Sequence, residues 1–209
     1  MVLSMLCTSV AASLRVTPRR SFLHTTAAAA TVLGMSGSAQ ADIKVGGITK
    51  LGKEDIMAQK AHGTSPYPVQ DKLRWDCDRG TADRICSFNR HYAEYAGYWK
   101  KTSFLKEVSR DSETVYYDSV TGKPLFVAPR GRTMEAFLKE SESHGWPSFR
   151  NEEVVWDNVR ILSDGEAVSV DGTHLGHNLP DSKGNRYCIN LVSVAGLPKT
   201  EAESNKTEM

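Results

Sequence analysis

A thiol, two imidazoles, an amide and a guanidinium fall within one short stretch, Thr173 to Val194, which reads THLGHNLPDSKGNRYCINLVSV. Strand periodicity over Arg186 to Val194 puts Cys188, Asn190, Val192 and Val194 on one face, with Tyr187, Ile189, Leu191 and Ser193 on the other. Cys188 and Asn190 then point the same way. His174 and His177 lie three residues apart, and the Asn178 to Asn185 loop, with Pro180-Asp-Ser and Lys183-Gly-Asn, reads as a turn returning the chain to that strand. Three readings fit these residues. As a nucleophile, Cys188 acts as a thiolate, which a nearby Arg186 or protonated histidine favours. As a metal ligand, it joins His174 and His177, with Asp181 or a water as the fourth. As core filling, it is a small buried hydrophobe and the histidines are turn residues. Periodicity does not choose among them.

The elements that must position this stretch are mostly strands. Val154 to Leu162 reads as a strand, Ser163-Asp-Gly165 as a turn, and Glu166 to Val170 as a second strand leading through Asp171-Gly172 to the stretch. Upstream, Thr114 to Val120 alternates in β-branched and aromatic residues, breaks at Thr121-Gly122 and resumes as Lys123-Pro-Leu-Phe-Val-Ala, the pattern of a hairpin. Thr133, followed by Met134, Phe137 and Leu138, predicts a capped short helix ending in the Ser141 to Gly145 region. From Thr81, the spacing of Ile85, Phe88, Tyr92 and Tyr95 predicts an amphipathic helix ending near Gly97. Residues 42–72 read as a linker or an arm laid over the domain, and 198–209 as a disordered polar tail.

At 209 residues, with 40% hydrophobic and 24% charged residues, the chain has the composition of one globular domain with a real core. A net charge of +1 supplies no field for nucleic acid, and no run of about 18 strongly apolar residues supports a permanent membrane span. Met1 to Ala41 lacks acidic residues, carries Arg15, Arg19 and Arg20, and is rich in Ser, Thr and Ala, which is a targeting composition. Thr17-Pro-Arg-Arg-Ser-Phe-Leu with Ala39-Gln40-Ala41 resembles a twin-arginine export signal, and Arg20-Ser-Phe-Leu-His-Thr a two-step mitochondrial presequence. A plastid signal ending in the thylakoid lumen uses the whole extension and ranks ahead of bacterial periplasm and mitochondrion. With Cys7 removed in such a presequence, Cys77, Cys86 and Cys188 remain, an odd number without C-x-x-C spacing.

Gly145-Trp-Pro-Ser-Phe149, then His174-Leu-Gly-His177, then Arg186-Tyr-Cys-Ile-Asn190, in this order, resemble the catalytic domain of peptide methionine-R-sulfoxide reductases. The resemblance spans roughly 74–196 and is strongest from Gly145 onward; it places the catalytic domain at 73–197. It implies a single, mainly β (α+β) domain of antiparallel sheets with a few short helices, acting as a monomer. It further implies that Cys188 attacks the sulfoxide sulfur, leaving a sulfenic acid and a repaired methionine. His174 and His177 match the histidines that hold and protonate the sulfoxide oxygen, and Asn190 the amide that assists them. Trp146 matches the indole receiving the S-methyl group, Arg186 a site arginine, Phe149 a wall residue and Asp181 a loop aspartate at the substrate.

The chain departs from that pattern. The first of the zinc-binding cysteine pairs of many relatives would fall on Asp118 and Thr121, and the second near Val168 and Asp171, so the resemblance is to a zinc-free branch without cofactor. His144 stands where many relatives place the resolving cysteine, which leaves Cys86, Cys77 or a thioredoxin-type reductant to regenerate Cys188. Asn178-Leu179 replaces the usual apolar and aromatic pair. The implied partners are proteins containing methionine sulfoxide and an external thiol. The alternative is a non-catalytic member that binds methionine-containing peptides or a metal through His174 and His177.

Overall fold

The computed structural model describes residues 43–199, so the extension expected over 1–41 and the tail beyond Lys199 lie outside the described residues. The first helix, α1 (Arg79–Asp83), begins where the Asp78 carboxylate accepts a hydrogen bond from the Thr81 N–H at 2.7 Å. A wider π-type turn over Arg84–Phe88 follows, and Asn89, at φ −143°, leaves helical space. The helix expected to reach Gly97 therefore stops at Phe88. Of its predicted stripe Ile85 is buried, whereas Phe88, Tyr92 and Tyr95 are 58%, 46% and 53% exposed. Tertiary bonds override the local pattern: the Glu94 N–H donates to Asn190 and the Glu94 carbonyl accepts from Trp146, so neither serves a helix.

After a single turn, α2 (Phe104–Glu107), come β1 (Thr114–Tyr117) and β2 (Pro124–Ala128), an antiparallel hairpin turning at Thr121-Gly122 as its sequence predicts. The third helix, α3 (Met134–His144), starts at Thr133, whose hydroxyl accepts the Ala136 N–H at 3.2 Å. It ends at Gly145, whose φ of +89° and position against Ala96 leave no room for a side chain; a Cβ there would meet the Ala96 Cβ at 2.9 Å.

Five short strands complete the domain: β3 (Ser148–Arg150), β4 (Val159–Ile161), β5 (Glu166–Ser169), β6 (His174–Asn178) and β7 (Arg186–Ile189). They form one antiparallel sheet in the order β3-β7-β6-β5-β4. The described residues are thus mainly sheet with few short helices. Two expected strands are shorter than predicted. Val154 contributes only an isolated bridge to Phe126, leaving Val159–Ile161 as the strand. The strand expected over Arg186 to Val194 ends at Ile189, and Leu191–Ser193 forms a 3-10 turn. There the Leu191 and Val192 N–H groups donate to the Glu94 carboxylate instead of to a neighbouring strand.

The segment before α1 lies along the free side of β4. Leu51 bridges Ile161 in parallel; the Gly52 N–H donates to the Ile161 carbonyl at 2.9 Å, and the Ile161 N–H to the Lys50 carbonyl at 3.0 Å.

An aromatic cluster fills the core between the two sheets and α3. Phe149 sits at its centre, 0% exposed, with ring centroids 4.3 Å from Phe126, 4.9 Å from Tyr116 and 5.2 Å from Phe137. This corrects its expected role as a substrate wall. Alternation along β3 pairs Ser148 with Cys188 on the site face and turns Phe149 to the core face. Phe149→Ala should lower stability by about 3–5 kcal/mol, measured as a shift of the denaturant midpoint. A loss below about 1 kcal/mol would show that the cluster repacks without it.

Candidate active site

The site is built on β6 and β7. Opposite β5, Glu166 pairs with His177 and Ala167 with Gly176, but Val168 pairs with His174, so Leu175 is an extra residue in β6. In a regular strand, residues three apart face opposite sides. This bulge returns His174 to the side of His177, and their ring centroids are 5.6 Å apart. Leu175 enters the core, fully buried. Gly176 lies so close to β7 that a Cβ would fall 2.0 Å from the Cys188 carbonyl oxygen. Only glycine allows the histidine strand and the cysteine strand to pair here.

Cys188 is the register partner of both His177 and Ser148 and is half-buried. Two residues earlier on the same strand face, Arg186 donates from Nη1 to the Cys188 Sγ at 2.6 Å. The guanidinium meets the sulfur as a charged hydrogen-bond donor. Arg186 Nε is also 3.6 Å from Asp181, a charge contact longer than a hydrogen bond. Asp181 is bound by Arg150 at 3.0 and 2.7 Å, and those hydrogen bonds hold its carboxyl well below the usual range. Arg150 pairs in turn with Glu140 on α3. Charges therefore alternate from Glu140 through Arg150 and Asp181 to Arg186, whose Nη1 meets the Cys188 sulfur.

His174 is 2% exposed, and its Nδ1 lies 2.6 Å from a carboxylate oxygen of Glu166. An ionised carboxylate only accepts, so this contact keeps the Nδ1 proton on His174. Arg90 holds Glu166 from the other side, with Nε 2.9 Å from Oε2. Burial pushes Glu166 up, but the bonds from His174 and Arg90 outweigh it and hold the carboxyl below the ordinary glutamate range. For His177, burial first and the neighbouring His174 second push the imidazole below the ordinary histidine value.

Trp146 follows the Gly145 cap and donates from its indole Nε1 to the Glu94 carbonyl at 2.9 Å. Asn190 is 2% exposed and has both ends of its amide occupied: Oδ1 accepts from the Glu94 N–H, and Nδ2 donates to the Leu175 carbonyl, each at 3.1 Å. Its amide braces the backbone around the site.

These elements enclose a cavity of about 410 Å³. Cys188, His174, His177, Asn190, Trp146 and Arg186, all named from the sequence, line it. Joining them are Arg90, His91, Tyr92 and Ala93, which the sequence reading did not place at the site, and His144 and Leu179, which it noted only as departures from the family pattern. Glu166 was missed as well; an acid opening an otherwise apolar strand was the signal that could have found it.

Four predicted residues lie elsewhere. Phe149 belongs to the core, and exposed Asp181 faces Arg150 and Arg186 outside the cavity lining. Cys77 and Cys86, 8% and 0% exposed, pack in the core as free thiols, and burial pushes both well above the ordinary thiol value. Cys86 donates to the Ser193 hydroxyl at 3.6 Å. Neither thiol lines the cavity, so the structure does not bring an expected resolving cysteine to Cys188. Nor is the ligand set of Cys188, His174, His177 and Asp181 assembled, since Asp181 is held by arginines. Among the described residues no group of three or more His, Cys, Asp or Glu side chains is arranged to hold a metal ion, and no helix is long and apolar enough to cross a membrane. Compared with models of known protein families, the chain matches none.

Proposed function

We propose that this chain reduces methionine-R-sulfoxide, carried in proteins, to methionine, using Cys188 as the nucleophile. The observation that carries the reading is the half-buried Cys188 Sγ, 2.6 Å from the Arg186 guanidinium and paired across the sheet with His177, in a cavity that Trp146 also lines. As a thiolate facing the Arg186 guanidinium, Cys188 bonds to the sulfoxide sulfur as the sulfur–oxygen bond breaks. His177 and His174 hand the departing oxygen its two protons, so that it leaves as water; with burial and His174 pushing its pKa down, His177 carries its proton only transiently. Water then attacks the Cys188 sulfur; the sulfur–sulfur bond breaks, its electron pair leaves with the substrate as a thioether, and Cys188 is left as a sulfenic acid with one proton released. The indole of Trp146 offers the S-methyl group an aromatic contact.

Recovery requires two external thiols. The first displaces water from the sulfenic acid and forms a mixed disulfide with Cys188; the second releases the Cys188 thiolate and leaves the reductant as its own disulfide. Cys188 is the thiol among the cavity-lining residues, which supports attack by an incoming reductant such as a thioredoxin. Replacing Cys77 and Cys86 together with alanine should therefore leave thioredoxin-driven turnover within about twofold of the parent, whereas a loss beyond about tenfold would make one of them the resolver.

An epimer-resolved assay on the purified chain, with R and S sulfoxides presented in a peptide, tests the whole reading. Consumption of the R epimer alone is expected. Equal consumption of both, or of neither, would sink it.

A further inference from the structure

Glu94 is a buried acid with no cationic partner among the described residues, 2% exposed, in a segment whose residues on either side reach solvent. Burial pushes its carboxyl up to about 8 even though two backbone N–H groups bind it. An acid held in this way is costly to the fold, and a neutral residue would be cheaper. What it accomplishes is geometric. Its two oxygens accept the Leu191 and Val192 N–H groups at 2.8 and 3.1 Å, immediately beyond the cysteine strand. Its own N–H is held by Asn190, and its carbonyl holds the Trp146 indole at 2.9 Å. One residue thus joins the end of β7, the brace from β6 and the tryptophan wall. Arg90, bonded to Glu166, pins the other end of the same segment, and His91, Tyr92 and Ala93 span the cavity between the two pins.

We infer that Glu94 is a positioning residue, which sets the Trp146 indole at its working distance from Cys188 by tying the 90–94 crossing to the end of β7. The inference rests on the proposed sulfoxide reduction. A carboxyl suits the task because each oxygen, ionised or with its proton turned away, accepts one of two consecutive backbone N–H groups, whereas a carboxamide offers one acceptor and turns a donor toward the second N–H. Glu94→Gln keeps the shape, so the variant stays folded while the anchor loosens.

The experiment compares the full chain with Glu94→Gln, Trp146→Phe and the double variant. It measures kcat/KM for an R-sulfoxide peptide and, separately, the iodoacetamide alkylation rate at Cys188, mapped by peptide mass spectrometry. Glu94→Gln should lower kcat/KM about ten- to hundredfold, as misplacement of a binding group does, with the Cys188 alkylation rate unchanged. Trp146→Phe keeps a ring but deletes the indole donor, so the double variant should be no worse than the poorer single one. An unchanged kcat/KM in Glu94→Gln, a parallel fall in alkylation, or fully additive losses would each overturn the assignment. A parent chain inactive on both epimers would instead remove the reaction on which it rests.

Discussion

Under the proposed reaction, Cys188→Ser should leave a folded protein whose reduction of methionine-R-sulfoxide falls at least about a thousandfold. The hydroxyl is close in shape to the thiol, and the polar contacts of Sγ are Arg186 Nη1 and Ser148 Oγ, so little packing changes. Chemistry changes instead. At neutral pH a serine hydroxyl does not ionise beside one guanidinium, and oxygen does not give the sulfenic acid through which the reaction passes. The epimer-resolved assay, together with an unchanged thermal melt, checks this. Activity above about a tenth of the parent would place the nucleophile elsewhere.

Glu166→Gln should cost about tenfold to hundredfold in kcat/KM, the usual scale for a group that orients a working side chain through a hydrogen bond. The neutral amide can still accept from the Nδ1 proton of His174, but it no longer sets a negative charge against that imidazole, nor offers a full partner to Arg90. The stability difference between parent and variant has a defined sign with pH. Because the folded carboxyl lies below its ordinary value of 4.5, its contribution is present above that value and is lost as pH falls through the lower, folded one. The parent's advantage over Glu166→Gln should therefore shrink in acid. Equal activity in the two proteins, or an advantage that grows in acid, would refute the role.

How far the sequence revealed this site depends on where the information lies. Cys188 and Arg186 are two apart on a strand, so a period of two puts them together, and the Gly145-Trp146 pair marks a helix end. These residues were legible. The common face of His174 and His177 was not, because it depends on an extra residue in β6 that appears only against its partner strand. Glu94 was hidden for a different reason: it sits inside a convincing helical stripe, and the bonds that pull the segment out of helix come from Asn190, Leu191, Val192 and Trp146, far away in sequence. Phe149 illustrates the limit of motif reading. A motif places a residue near a site, but the parity of a three-residue strand decides which side of the sheet it serves. For Cys77 and Cys86, composition supplied the right atoms, and burial put them beyond reach of the cavity.

The segment lying beside β4 has a bearing on how the molecule can be divided. By composition it is a linker and the domain begins near Leu73, yet residues 50–52 complete the hydrogen bonding of Ile161. A fragment begun at 73 would keep every cavity-lining side chain and still bare the outer strand. An uncovered strand edge is a template for another chain, so such a fragment would tend to pair with its own copies and aggregate. The smallest fragment that keeps this edge covered therefore begins before Lys50, well upstream of the nearest residue that touches the cavity.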